Sequence, residues 1–174
     1  MKKFALVLCI LLILSFLGCG VPDESPTPTQ AKEMMAPGLG EDDTGPVTVI
    51  YTDYYRLKLP NSWGNTCLCE IKPTEGGTYD LVIYEAQSLR DCDGGKLCTL
   101  MMVPTSDDSY KDFPDYELLC ALDTPEGSFY VVALFPTDVQ FDADTAESYN
   151  AMYEELMDVL YTIRPVGDIE MAMP

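Results

Sequence analysis

Five cysteines between residues 67 and 120 are the side chains best suited to covalent or metal chemistry in this sequence of 174 residues. Cys92 and Cys98 flank a Gly-Gly turn that could bring them within bonding distance, so we predict a disulfide there. Cys67 and Cys69 leave one strand from the same face, so each is expected to bond elsewhere rather than to the other. Cys120 lies in an apolar run and is predicted to be a buried free thiol. The connectivity stays open, because even four cysteines allow several pairings.

The cysteines also allow a second interpretation, a thiolate metal site built from Cys67, Cys69, Cys92 and Cys98. Tetrahedral zinc accepts four thiolates, but paired ligands are usually separated by about two to four residues. Here the intervals are one and five residues. A redox role is disfavoured as well, because the sequence has no Cys-x-x-Cys motif. We therefore expect no metal and no cofactor.

The sequence contains no histidine. This excludes Ser-His-Asp and Cys-His catalysis, histidine-ligated zinc and a histidine pH switch. Ser62 and Ser128 consequently have no imidazole base to activate them. We expect a domain that is not an enzyme. The alternatives are a domain that depends on a cation or a thiolate-bound metal, and a small hydrolase that uses paired carboxylates.

Acidic residues outnumber basic ones by 29 to 10, which gives a formal net charge of −19. Such a charge opposes binding to nucleic acids and to anionic lipid. Calcium binds about six to eight oxygen ligands, and two clusters of acidic residues could provide them. Neither cluster has the spacing of a known calcium loop, so turn chemistry and helix capping on a solvated face are favoured. The clusters are Asp107, Asp108, Asp112, Asp115 and Glu117, and Asp138, Asp142 and Asp144.

Four aromatic residues are candidates for binding a partner. Trp63, the only tryptophan, follows a turn and could stack on a sugar or a peptide, although packing over the end of a sheet is the commoner role. Tyr110, Phe113 and Tyr116 lie in or beside the acidic segment 107–117. An apolar patch near these residues would indicate a binding surface.

Strand patterns dominate the elements that must position these side chains. Alternating or continuous apolar runs, bounded by turn residues, predict six strands. Two of the strands, 97–103 and 129–135, are apolar on both faces, which predicts a sheet covered in part on each side. The predicted strands are 55–59, 67–71, 79–85, 96–104, 116–123 and 128–135.

One long helix is predicted near the carboxyl end. Apolar residues recur there at intervals of three and four, as on one face of a helix. Asp144 and Glu147 have the spacing of a capping box that begins the helix, and Pro165 is expected to stop it. A shorter helix is predicted at 86–90. The apolar positions are Ala146, Tyr149, Tyr153, Leu156, Leu160 and Ile163.

The amino terminus has the pattern of an export signal. Lys2 and Lys3 precede an apolar run that is too short to span a membrane, so residues 1–18 are predicted to be a cleaved signal peptide. The following Gly18-Cys19 resembles the lipobox of bacterial lipoproteins. That resemblance implies lipid attachment at Cys19 and a location on the outer face of the cell membrane. Its membrane contact would be the lipid, since two or more acyl chains hold a protein stably.

A flexible spacer is predicted between the lipid and the folded part. Residues 19–46 are acidic, rich in proline and glycine and free of aromatic residues, which indicates a disordered tether. Residues 47–165 have the size and composition of a single domain. Residues 166–174 are expected to be a frayed tail.

The predicted elements amount to an α+β domain, an antiparallel sheet of about six strands packed by a C-terminal helix. The strand that ends in Leu59-Pro60-Asn61-Ser62-Trp63 is similar to the opening of PsbP/Mog1-like domains. Segments 112–119 and 134–142 resemble small lipoproteins of gut Clostridia. This resemblance implies a fold and a location but no activity. By analogy with PsbP/Mog1-like domains, we expect a non-catalytic binding or accessory module for a protein or a small ligand.

Overall fold

The computed structural model describes residues 47–74 and 78–174. The predicted signal peptide, Cys19 and the tether lie outside these residues, as does most of the turn between the second and third predicted strands. The described part contains nine strands, two α-helices and two short 3-10 helices. The strands are β1 Thr48–Tyr51, β2 Tyr55–Leu59, β3 Cys67–Pro73, β4 Tyr79–Glu85, β5 Lys96–Pro104, β6 Tyr116–Thr124, β7 Gly127–Leu134, β8 Arg164–Pro165 and β9 Glu170–Ala172. The helices are α1 Ala86–Cys92 and α2 Ala146–Leu160, with 3-10 helices at Asn61–Thr66 and Ser109–Asp112.

The strands form two antiparallel sheets rather than the single sheet that the sequence predicts. The larger sheet has the order β3-β4-β5-β7-β6-β9, and the smaller one has the order β1-β2-β8. The predicted α+β class with a C-terminal helix is therefore confirmed. All six predicted strands are present, but β2 belongs to the smaller sheet, where residues 56–59 pair with β1.

The sixth strand of the large sheet comes from the end of the chain. The prediction of a frayed tail after Pro165 is wrong for β9, because Ala172, Met171 and Glu170 pair with Ala121, Leu122 and Asp123 of β6. This strand has only three residues. So short a segment shows no period in the sequence, and its pairing with β6 satisfies backbone groups that an edge strand would expose.

The main core lies between one face of the large sheet, helix α2 and the small sheet. We call this face of the large sheet the inner face. It includes Leu81 and Ile83 of β4 and Leu100 of β5, each at most 1% exposed, and it packs with Leu156 and Leu160 of α2. Full burial of a leucine or isoleucine contributes about 1.5–3 kcal/mol, so this core is the main source of stability.

Helix α2 begins and ends differently from the prediction. The residue before the helix is Thr145, which makes no side-chain capping bond. Asp142, rather than Asp144, closes the turn that precedes the helix, since Asp142 Oδ1 accepts hydrogen bonds from the Asp144 and Thr145 amides at 3.0 and 3.1 Å. The helix ends at Leu160, ahead of Pro165, so the proline is not what terminates it. Thr162 then donates to Val159 O at 2.7 Å and accepts from the Lys58 amide of β2 at 2.9 Å, which ties the helix end to the small sheet.

The buried stripe of α2 also differs in part from the predicted one. Met152 and Val159 are buried, whereas Tyr153 is 40% exposed. Tyr153 instead stacks on Tyr149 with an interplanar angle of 16°, at the margin of the core. The predicted stripe is therefore displaced to one side of the buried face, which also includes these two residues.

The Gly94-Gly95 turn between α1 and β5 has no room for a side chain at either glycine. Gly95 has a φ of +78°, and a Cβ atom there would meet the Glu85 carbonyl oxygen and lie 2.7 Å from the Leu89 amide nitrogen. At Gly94 a Cβ would meet the carbonyl oxygen of Gln140. Glycine is required at both positions because two neighbouring segments of backbone come too close for any side chain.

Candidate functional site

The opposite face of the large sheet, the outer face, carries a small second cluster. Val103 of β5 and Val132 of β7 are buried there beneath Tyr110, which is 5% exposed and comes from the 3-10 helix Ser109–Asp112. Tyr110 makes edge-to-face contacts with Tyr116 and Tyr130, at centroid separations of 5.4 and 6.0 Å. The prediction that the sheet is covered in part on both sides is confirmed, and Tyr110 is the residue that covers the outer face.

Two aromatic rings beside Tyr110 remain open to solvent. Phe113 is 44% exposed and Tyr116 is 37% exposed. Around them, four apolar side chains on the same face are only partly buried: Met101, Leu118, Tyr130 and Leu134. We call Tyr110, Phe113, Tyr116 and Tyr130 the aromatic patch. Of the predicted binding residues, the structure brings the rings of Tyr110 and Tyr116 into contact, and Phe113 adjoins them through a hydrogen bond from its amide to the Tyr110 carbonyl oxygen at 3.3 Å.

Acidic residues rim the aromatic patch. Asp107 closes a turn by accepting the Ser109 amide at 2.9 Å, and this hydrogen bond lowers the pKa of the Asp107 carboxyl. Asp108 pairs with Lys111 at 3.3 Å, and the Lys111 ammonium lies 5.7 Å from the Tyr110 ring centroid. Turn formation accounts for Asp107, as the sequence predicts. Asp112 and Asp115 flank Phe113 and are exposed.

Trp63 is not part of this surface. Its ring is 1% exposed, and its indole N–H donates to Glu155 Oε2 of α2 at 2.9 Å. Ser62 donates to the same oxygen at 3.0 Å. Trp63 therefore has the packing role that the sequence favours and is not available as a binding residue, since its ring lies in the core and its polar atom is already bonded. Glu155 is far from Trp63 in sequence, so no local pattern reveals the pairing.

The five cysteines are all free thiols in the structure. No bridge joins Cys92 to Cys98, because the two lie in different surroundings. Cys92 is exposed at the end of α1, where its thiol donates to Ser88 O at 3.1 Å, whereas Cys98 is fully buried on the inner face. Cys120 is buried, as predicted.

Cys67 and Cys69 form the one close pair of sulfurs that the described residues contain, with Sγ atoms 3.9 Å apart. Both are half-buried, and both project from β3 towards the core, as their spacing predicts. The four-thiolate zinc site is not assembled, because Cys92 lies apart from the others. Among residues 47–74 and 78–174, no three His, Cys, Asp or Glu side chains are arranged to hold a metal ion.

A phenol group lies unpartnered in the same part of the core. Tyr55 is 1% exposed, and within the described residues its hydroxyl has no hydrogen-bond partner. Burial raises its pKa far above the usual value, and the nearby thiols of Cys98, Cys120 and Cys69 add to the rise. A buried polar group without a partner costs free energy, so its retention requires an explanation.

Glu85 is the most deeply buried carboxyl among the described residues, at 1% exposure. It accepts the Gln87 and Ser88 amides at 3.2 and 2.6 Å and the Ser148 hydroxyl at 3.2 Å. Burial raises its pKa, but these hydrogen bonds together lower it below the ordinary value. Glu85 therefore caps α1 and links it to α2, a structural role that the sequence did not reveal.

Comparison of the chain with protein-family models, with curated proteins and with solved structures found no match. No helix in the part of the chain described here has the length and apolar character needed to cross a membrane.

Proposed function

We propose that this protein is a lipid-anchored, extracytoplasmic lipoprotein whose α+β domain is a non-catalytic binding or accessory module. The basic and apolar start of the chain and the Gly18-Cys19 pair support export and anchoring. The absence of histidine and the structural roles of the buried polar side chains support a module without catalysis. Its partner is a protein or a small ligand that contacts the aromatic patch.

The single observation that carries the binding role is that Phe113 and Tyr116 are exposed next to Tyr110, which is itself buried. Tyr110 fixes the position of the segment by packing on Val103 and Val132, so the two exposed rings are presented on a firm base. Rigid aromatic side chains give large contact area at low cost in conformational entropy, and they dominate the energetics of many interfaces.

The charge around the patch indicates the chemistry of the partner. The exposed Asp112 and Asp115 flank Phe113, and the whole chain has a formal charge of −19. A guanidinium or ammonium group can lie over an aromatic face while it pairs with a neighbouring carboxylate. We therefore propose a partner that presents arginine or lysine side chains to the patch.

The finer fold assignment, a PsbP/Mog1-like domain, is also a proposal. It is supported by β2 ending at Leu59, by the turn at Pro60 that leads into buried Trp63, and by the antiparallel sheet packed with a C-terminal helix. Fold likeness carries no activity with it, so the functional proposal depends on the patch alone.

The anchor is tested by the intact mass and the fractionation of the full chain from bacterial cells. We expect cleavage before Cys19, a mass increase equal to two or three acyl chains, and recovery in the membrane fraction. Cys19→Ser should abolish both the lipid mass and the membrane association. Unmodified Cys19 in a membrane-free fraction would disprove the anchor.

The patch is tested in cells by placing a benzophenone amino acid at position 113 of the full chain. We expect a discrete adduct that is absent when the same group replaces Val139, an apolar control residue that is 75% exposed. Replacing Asp112 and Asp115 by lysine should suppress the adduct at position 113. Equal adducts from positions 113 and 139, unchanged by the charge reversal, would show that the patch is not a binding surface.

A further inference from the structure

Cys67 and Cys69 hold two sulfur atoms side by side at a fixed spacing. Their Sγ atoms are 3.9 Å apart. Cys67 pairs with Glu85 and Cys69 with Ile83 of β4, so the ladder of the sheet sets the spacing rather than a flexible loop. Two sulfurs bonded to one metal ion at about 2.3 Å lie about 4 Å apart, so this pair can share an ion without rearrangement of the backbone.

The position of the pair allows an ion to enter. Strand β3 lies at an edge of the large sheet, and both cysteines are half-buried. One side of the pair therefore faces solvent, and the other packs against the inner core. This combination of access with a largely apolar surround is typical of sites for soft metals, which bind thiolates and thioethers in preference to oxygen.

The surroundings of the pair are rich in sulfur and contain the unpartnered phenol. Cys98 lies in the same row of the sheet as Cys69, because Ile83 of β4 pairs with Cys69 on one side and with Cys98 on the other. Tyr55 and Cys98 belong to the core cluster against which Cys69 packs, and the Tyr55 hydroxyl has no hydrogen-bond partner within the described residues. A phenol O–H that lacks an acceptor stabilises negative charge placed near it, as a metal-bound thiolate would provide.

We propose that Cys67 and Cys69 form a two-thiol site for one soft metal ion of the copper(I) class. Binding replaces two S–H bonds by two sulfur–metal bonds and releases two protons to solvent, with no change of oxidation state. Zinc fits less well because it seeks four ligands, and the described residues offer no group of three or more suitable side chains. Copper(I) is satisfied by two or three sulfurs.

The apparent affinity is expected to rise with pH, because binding exchanges the two thiol protons for the metal ion.

The test is a titration of the reduced full chain with copper(I), without oxygen and against bicinchoninate as the competing ligand. We expect the wild-type chain to bind one equivalent that both Cys67→Ser and Cys69→Ser lose. Loss of a direct ligand should weaken binding by at least the ~10–100-fold that loss of an outer-shell partner costs. Cys92→Ser is the matched control, because Cys92 is the exposed thiol that non-specific binding would use first. Cys9 and Cys19 are unchanged in all these variants.

A footprint on the wild-type chain covers the case in which a serine variant does not fold. Copper(I) should protect Cys67 and Cys69 from alkylation and leave Cys92 reactive. Retention of the equivalent in a folded Cys67→Ser/Cys69→Ser chain, its loss in Cys92→Ser, or alkylation of Cys67 and Cys69 unchanged by copper(I) would each overturn the proposal. So would isolation of the native chain with Cys67 and Cys69 joined to each other as a disulfide.

Discussion

The two faces of the large sheet are covered by very different amounts of chain. Helix α2, with 15 residues, and the small sheet cover the inner face, whereas the 3-10 helix that covers the outer face has four residues. Leu100 on the inner face is fully buried, while Leu134 on the outer face is only partly so. The inner face therefore provides most of the stability, and the outer face leaves apolar surface exposed, which is where the proposed partner would bind.

The largest expected change in stability comes from shortening a leucine side chain on the inner face, and the same change on the outer face is its comparison. Leu100→Ala should lower the free energy of unfolding by about 3–5 kcal/mol, because it leaves a cavity in a fully packed core. Leu134→Ala, the matched change on the outer face, should cost less than half as much, because water can fill the space. Urea unfolding followed by circular dichroism gives both values. Equal losses would mean that the outer face is as well packed as the inner one.

The second effect concerns the polar link at the edge of the inner face. Glu85→Gln should lower the free energy of unfolding by about 1–2 kcal/mol at pH 7, because the charged cap of α1 is lost. The hydrogen bonds that lower the pKa of Glu85 stabilise its ionised form, so this contribution is present above the pKa of the unfolded state. It is lost as the pH falls through the lower pKa of the folded state.

The measurement is urea unfolding of the wild-type chain and the Glu85→Gln variant at pH 7 and at pH 3. We expect the difference between them to shrink at the acidic pH. A difference that is constant with pH would show that the Glu85 charge contributes nothing. Glu147→Gln, at an exposed position in the first turn of α2, is the control for a general effect of removing one acid.

Much of the difference between the two faces could be predicted from the sequence, because it depends on the spacing of apolar residues along the strands and along α2. The apolar character of both faces of β5 and β7 predicts a sheet covered on two sides, and the intervals in α2 predict the helix. Other features could not be predicted, since they depend on contacts between distant segments. The Trp63 indole bonds to Glu155, Asp142 rather than Asp144 closes the turn before α2, and β9 forms only because β6 offers a free edge.

The candidate sites show the same division. The sequence indicates Phe113 and Tyr116 as candidate binding residues, which the structure shows to be exposed, and the common face of Cys67 and Cys69 follows from strand geometry. The separation of Cys92 from Cys98 could not be predicted, because it depends on which way α1 leaves β4. The lack of a partner for the Tyr55 hydroxyl depends on the packing of the whole core.

The third predicted substitution should stabilise the protein, whereas the first two should destabilise it. Tyr55→Phe removes a buried hydroxyl that has no partner among the described residues, so it should raise the free energy of unfolding by about 1 kcal/mol. The same change should weaken copper(I) binding if the phenol stabilises the thiolates. Thermal unfolding of the metal-free chain and the copper titration measure the two effects separately. A large destabilisation would indicate that the hydroxyl has an acceptor in solution.

The smallest effect on stability tests the function of the outer face. Phe113→Ala should change the free energy of unfolding by no more than about 0.5 kcal/mol, because the ring is 44% exposed and Tyr110 holds the segment in place. The change should nevertheless abolish the adduct formed from a benzophenone group at position 116. Val139→Ala, at an apolar residue that is 75% exposed, should leave that adduct unchanged. A residue that is dispensable for folding but needed for contact is expected of a binding surface. Loss of stability together with loss of the adduct would instead assign Phe113 to the packing of the outer face.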